Sequence, residues 1–197
     1  MNEKAWECAI NSIETESSAI ADIAGYLKKG PFMEAVDALC RCGKIITSGC
    51  GGSGIAAKKF AHSLCCIERD AYFLPPGEAL HGGMGCIKKS DAVALLSRGG
   101  KTAELLPIAS LCNQKKATLI AITENPDSPM AKAAQIVLPM KIERESDPLG
   151  IMTTSSFVVA AAIFDALLAA VMVASNYRIE QFAPIHPGGA VGEFLNK

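Results

Sequence analysis

The 197 residues, half of them hydrophobic and 20% charged, suit one α/β domain large enough to bury a core. A formal net charge of -1 leaves no basic footprint and argues against nucleic acid as a partner. The eight cysteines (8, 40, 42, 50, 65, 66, 86 and 112) form no Cys-x-x-Cys pair and have no histidine at zinc spacing. They read as reduced, mostly buried thiols, with no metal or cofactor implied.

The first residues, from Met1 to Glu7, contain no apolar h-region, so a cytoplasmic protein is expected. Trp6, Ile10, Ile13, Ile20, Ala24 and Leu27 recur at three-to-four spacing and predict a long amphipathic helix. Gly30-Pro31 is expected to end it, and a shorter helix to run to about Arg41. Residues 1–30 read as a helical extension and 31–197 as the main domain.

Strands and helices then alternate. Strands are predicted near 44–48, 70–74, 91–96, 118–123 and 135–138. Helices are predicted near 53–66, 102–115, 129–134 and 154–175; Ser128 is the cap and Pro129 the first-turn residue of the third. Short links between alternating elements imply a parallel sheet with helices on both faces. Residues 75–90 and 141–153 are the long excursions, and such loops are often functional.

From Phe157 to Ala174 nearly every residue is apolar, close to the length of a membrane span. Asp165 at the centre would be costly in lipid, so no membrane partner is expected. A helix apolar all round is instead expected to be buried in a core or between subunits.

The most informative features are two glycine-rich turns. Gly49-Cys50-Gly51-Gly52-Ser53-Gly54 follows the first strand, and Ser97-Arg98-Gly99-Gly100-Lys101-Thr102 follows the third. A strand that breaks into glycines and then becomes helical bares amide N–H groups at the positive end of a helix dipole, which binds anions. Three generic readings compete. Gly49, Gly51 and Gly54 fit G-x-G-x-x-G, but the dinucleotide site also wants an acid after the second strand, where Leu74-Pro75-Pro76 stands. Gly100-Lys101-Thr102 ends like a P-loop, but Leu95 occupies the position of its first glycine. Tight turns that need glycine and nothing more are the third.

Both turns together resemble the sugar isomerase (SIS) domains, the second turn matching their serine/threonine-rich phosphate loop with Glu104 just after it. Three further matches resemble the arabinose 5-phosphate isomerases within that family. These are Pro76-Gly77-Glu78-Ala79-Leu80-His81-Gly82, Asp147-Pro148-Leu149-Gly150 with Thr153-Thr154-Ser155-Ser156, and His186-Pro187-Gly188-Gly189-Ala190-Val191-Gly192. The resemblance runs from about residue 30 to the C-terminus. Such isomerases commonly carry two CBS modules after this domain; the sequence ends at Lys197 and so resembles stand-alone versions.

The resemblance implies a three-layer α-β-α sandwich with a five-stranded parallel, flavodoxin-like sheet, assembled as a homodimer or homotetramer. It implies a sugar phosphate ligand and aldose–ketose isomerisation through an enediol, on arabinose 5-phosphate/ribulose 5-phosphate or a related sugar. The implied substrate-binding set is Ser48, Gly51, Gly52 and Ser53 with Ser97, Arg98, Gly99, Gly100, Lys101 and Thr102. Glu104, expected on the helix after the phosphate loop, and Glu145 are candidate bases. His186 is a candidate proton shuttle for ring opening, acting across a subunit interface, and His81 a candidate sugar contact. His62, mid-helix, reads as structural.

Two positions depart from the pattern. Similar isomerases carry lysine in the first loop where Gly52 stands, and Ser-Asn-Ser-Gly where this chain has Ser97-Arg98-Gly99-Gly100. Arg98 or Lys101 is the expected compensating cation. A non-catalytic phosphosugar sensor and a dinucleotide-dependent enzyme are the alternative functions.

Overall fold

The computed structural model describes residues 2–190 and Gly192. Val191, within the C-terminal motif, lies outside the described residues.

The N-terminal segment is two helices rather than one. α1 (Glu3–Ala21) and the single turn α2 (Ile23–Tyr26) meet at Asp22, and α3 spans Lys29–Arg41. Gly30-Pro31 therefore begins a helix instead of ending one. A proline in the first turn lacks only an amide that has no helical partner there. The apolar stripe of α1 also faces away from the domain, with Trp6 63% and Ile13 65% exposed. The inward side of α1 is small and polar. Ser12 donates to Ser146 Oγ at 2.8 Å, and Arg144 donates to Asn11 and Thr15.

The sheet is five-stranded and parallel, in the order β2-β1-β3-β4-β5. Its strands are β1 (Ile45–Gly49), β2 (Ala71–Phe73), β3 (Ala92–Leu96), β4 (Thr118–Thr123) and β5 (Ile136–Pro139). Parallel strands covered on both faces should be apolar without alternation, and every residue of β1 and β3 is buried. Between them run α4 (Gly51–Cys65), α6 (Leu106–Lys115) and α7 (Pro129–Ala133), and α8 (Ser155–Ala174) follows β5. The 75–90 excursion is not an open loop. It folds into α5 (Pro76–Leu80) and a 3-10 turn (Gly83–Cys86).

Alternate residues of each strand feed two cores. Ile45, Ala92, Ala94, Leu96, Ile120 and Ile122 pack under α1, α3, α4 and α8, where Phe60 and Phe164 stack at 4.4 Å. Ile46, Val93, Leu95, Leu119 and Ala121 pack under α5, α6 and α7. This is the expected three-layer sandwich.

Among the described residues, α8 is the one helix long and apolar enough to cross a membrane by length and composition. It is not buried all round: Val159, Ile163, Phe164 and Leu167 face the core, while Ala166, Ala169 and Val173 face outward. Asp165 pairs with Lys59 of α4. The eight cysteines are free thiols, but only Cys112 is buried; Cys65 is exposed and the others lie between. The expectation of mostly buried thiols fails because most of them sit at helix ends and loop edges.

Candidate functional site

In an open α/β sheet, ligands bind beyond the carboxyl ends of the strands where the strand order reverses. Here that point falls between β1 and β3. The chain steps outward from β1 to β2, and in the other direction from β3 through β4 to β5. β1 and β3 are paired so that Gly49 lies opposite Leu96, and the two glycine turns therefore leave the sheet side by side.

The first turn passes directly into α4. Cys50 takes the N-cap position and supplies no side-chain acceptor, so the opening amides of α4 retain capacity for an anion. Gly51 takes φ +55, which favours glycine. A Cβ on Gly54 would lie 2.5 Å from Gly49 O, so helix and strand pack too closely there for any side chain. Ser48 is not available to a ligand. It is fully buried, and its hydroxyl donates to Leu74 O at 2.7 Å, fastening β1 to the segment after β2.

The second turn is drawn in on itself. Ser97 Oγ and Thr102 Oγ1 lie 2.8 Å apart, and Gly100 N donates to Ser97 Oγ at 3.1 Å. Gly100 takes φ +63 and sits against Ser128. Thr102 does not start the next helix. Residues 103–105 form a further turn, and α6 begins at Leu106. Pro107 explains the shift, since proline is favoured only in a first helical turn. Glu104 thus precedes the helix instead of riding on it.

Arg98 does not point into the turn as a cation for phosphate. Its Nε lies 2.7 Å from Glu124 Oε2 and its Nη1 3.0 Å from Glu145 Oε1. Glu145 is 5% exposed and accepts five hydrogen bonds. They come from Arg98, from the Thr154 amide (3.0 Å) and hydroxyl (3.2 Å), and from the Ser156 amide (3.0 Å) and hydroxyl (2.5 Å). The carboxylate sits at the start of α8, where a negative charge is favoured. Burial works to raise its pKa, but the Ser156 and Thr154 donors and Arg98 outweigh burial and hold it below the usual carboxylate range. A carboxylate in that state is an anchor and a poor base.

Glu104 is exposed. With Gly49, Cys50, Gly51, Gly54, Phe73, Pro76 and Gly77 it lines an open cleft of about 430 Å³. Burial, and then the Glu104 carboxylate, push the Cys50 thiol up. His81 caps the C-terminal end of α5, four residues after Gly77, and is exposed; it is not among the residues that line the cleft. Lys101 and Gly99 are exposed on the second turn, and Ser53 is half-buried on the first.

His186 is not brought to this crevice by its own chain. It ends α9 (Ile179–Ile185) and stacks on Phe182 at 3.9 Å. The same segment is tied to the far end of α4, where Tyr177 Oη donates to Cys66 O and Gln181 donates to Glu68. The 15 residues of α4 make that end about 22 Å from the first turn.

Several residues that shape the site have no individual role in the sequence reading. Asp147 accepts the amides of Leu149 and Met152 at 2.9 Å and folds the 147–152 turn. Thr153 then lies directly over Gly52. Glu124 closes the Arg98 pair. The run of hydroxyls before the apolar helix was the available signal for Thr154 and Ser156 as donors to Glu145.

The fold and the two loops at its switch point define an open, doubly wound α/β domain, and the SIS domain model matches residues 38–170; the chain belongs to the SIS domain family. It is 41% identical over 153 residues to the arabinose 5-phosphate isomerase KdsD of Pseudomonas aeruginosa, covering 78% of this chain and 47% of the relative. It is 40% identical over 168 residues to the arabinose 5-phosphate isomerase GutQ of Escherichia coli K12, covering 84% of this chain and 52% of the relative. The chain thus spans about half the length of the curated relatives it matches. Among solved structures, a Listeria monocytogenes protein named as a candidate sugar-phosphate isomerase superposes with TM-score 0.92 at 40% identity, covering 95% of this chain and 99% of that one. Escherichia coli CFT073 c3406, solved in complex with A5P, superposes with TM-score 0.88 at 26% identity, covering 95% and 100%.

Proposed function

We propose that this chain is a sugar-phosphate isomerase that interconverts an aldose and a ketose phosphate, with arabinose 5-phosphate and ribulose 5-phosphate as the expected pair. The carrying observation is the pairing of Gly49 with Leu96, which sets the two glycine turns side by side at the switch point. Relatives named as arabinose 5-phosphate isomerases, and a similar structure holding A5P, support the choice of sugar.

In this reading the phosphate lies against Ser97, Thr102 and the neighbouring amides of the second turn, and the first turn with Ser53 faces the sugar. Neutral donors in such a turn satisfy a dianion's oxygens without a buried counter-charge. Lys101, exposed on the second turn, adds long-range attraction. Glu104 takes the proton from C2 of the aldose as the C1 carbonyl oxygen gains one, giving the enediol. It returns the proton to C1 as the C2 hydroxyl loses its own, leaving the ketose. One carboxylate serving both carbons from one face of the enediol is sufficient base chemistry. Glu145 has its lone pairs occupied and is assigned to holding the loops.

His81 is the ring-opening candidate within the chain. His186 serves only if a second copy of the chain brings it over. The outward apolar stripe of α1 and the outward face of α8 suit burial between copies, and a homodimer or homotetramer in the cytoplasm is the assembly proposed.

The test is turnover of ribulose 5-phosphate, followed by a panel of pentose and hexose phosphates. Activity on one of them is expected; none across the panel would remove the isomerase. A second reading, a phosphosugar sensor without turnover, draws on Arg98 and Glu145 being committed to each other. Thermal stabilisation by a sugar phosphate with no product would select it.

A further inference from the structure

Arg98 is held in the second turn by its backbone, with its carbonyl accepting from Glu124 N at 2.9 Å and from Thr123 Oγ1 at 2.8 Å. Its guanidinium reaches sideways to Glu124 and Glu145. Glu145 is gripped by Thr154 and Ser156 at the start of α8. Thr153, the next residue back, rests on Gly52 so closely that a Cβ there would be 2.6 Å from its Cγ2. A continuous path of contacts therefore runs from the second turn through Arg98, Glu145 and residues 153–156 to the first turn. Every link is short, and its centre, Glu145, is buried.

We infer that Arg98 is a positioning residue that fixes the distance between the two glycine turns, and so the length of phosphorylated sugar that can bridge them. This rests on the phosphosugar reading above. The planar guanidinium is suited to the task because it offers a donor to each carboxylate in fixed directions. Lysine carries the same charge as a single point on a flexible stem and cannot replace the fork.

The test uses Arg98→Lys, which keeps the charge, with Thr153→Gly as a second variant that breaks the far end of the same path. In the ligand-free protein, amide hydrogen exchange at residues 50–54 is expected to rise roughly threefold or more in either variant, although residue 98 touches none of these amides. The double variant should add little to the singles, as for links in one chain. In calorimetry, arabinose 5-phosphate is expected to bind Arg98→Lys about tenfold more weakly, while inorganic phosphate, which needs one turn only, stays within about twofold. Unchanged exchange at 50–54 in both variants overturns the inference, as does equal weakening of both ligands. Wild-type protein that binds phosphate and no sugar phosphate overturns the phosphosugar reading instead, and the exchange experiment then still decides whether the turns are coupled.

Discussion

Gly52 and Thr153 share one space: a Cβ on residue 52 would stand 2.6 Å from Thr153 Cγ2 and 2.9 Å from Thr153 Cβ. The place where similar isomerases carry a lysine is closed here by a threonine from the 141–153 excursion. Gly52→Lys should therefore destabilise the protein by about 1–3 kcal/mol, the usual range for overpacking a tight contact. The double change Gly52→Lys with Thr153→Gly should recover most of that loss. Urea unfolding of the two variants checks this, and a stable single variant would show that Thr153 yields without cost.

Gly100 presents a harder limit, because two effects coincide. Its φ is +63, and a Cβ would meet Ser128 Oγ at 2.1 Å. Ser128 caps α7 by accepting from Ala131 N, so it cannot move without loosening that helix. Gly100→Ala is expected to cost at least about 2 kcal/mol, strain and overpacking together. The same change should weaken inorganic phosphate binding, since it displaces the amide that donates to Ser97 Oγ. Thermal melts with and without phosphate read both.

Much of this was legible in the chain, for physical reasons that also explain the gaps. Short apolar runs that break into glycine-rich turns mark β1 and β3. What misled was local grammar with two meanings. Pro31 and Pro107 both sit in first turns, and each moves a helix start: Gly30-Pro31 reads as a stop but opens α3, and Thr102 reads as the beginning of α6, which starts at Leu106. The partners of Arg98 could not be read at all. They come from β4's end and from a loop 47 residues away, and no spacing rule links positions so far apart. The resemblance places Ser48 in the substrate-binding set, but in a fully covered strand its hydroxyl finds a backbone acceptor, Leu74 O.

Glu145 fixes the sign of a pH effect. Its folded-state pKa is below its unfolded value, so the folded state binds fewer protons than the unfolded state in the acid range. The stabilisation is complete above the unfolded carboxylate pKa of about 4.3 and is lost as pH falls through the lower folded value. Glu145→Gln should lower stability at pH 7 and flatten the acid limb of a stability-against-pH curve. Denaturation midpoints from pH 7 down to about 3 measure it; an acid limb unchanged by the substitution would assign that limb to other carboxylates.

Glu104 separates catalysis from architecture. It is exposed, lies in a turn before α6, and lines the cleft beside the first glycine turn. Glu104→Gln should leave stability within about 0.5 kcal/mol of wild type, as for surface positions generally. It should reduce turnover by about 10²–10⁴, the range for losing a positioned general base. Sugar phosphate binding should persist, because Ser97 and Thr102, which are proposed to hold the phosphate and lie 2.8 Å apart, are untouched. The comparison with Glu145→Gln then divides the two acids. If Glu145 anchors the loops, its loss should raise KM and lower thermal stability together, whereas loss of Glu104 should lower kcat with both preserved. Equal kcat losses with unchanged KM in both variants would return Glu145 to the role of a base.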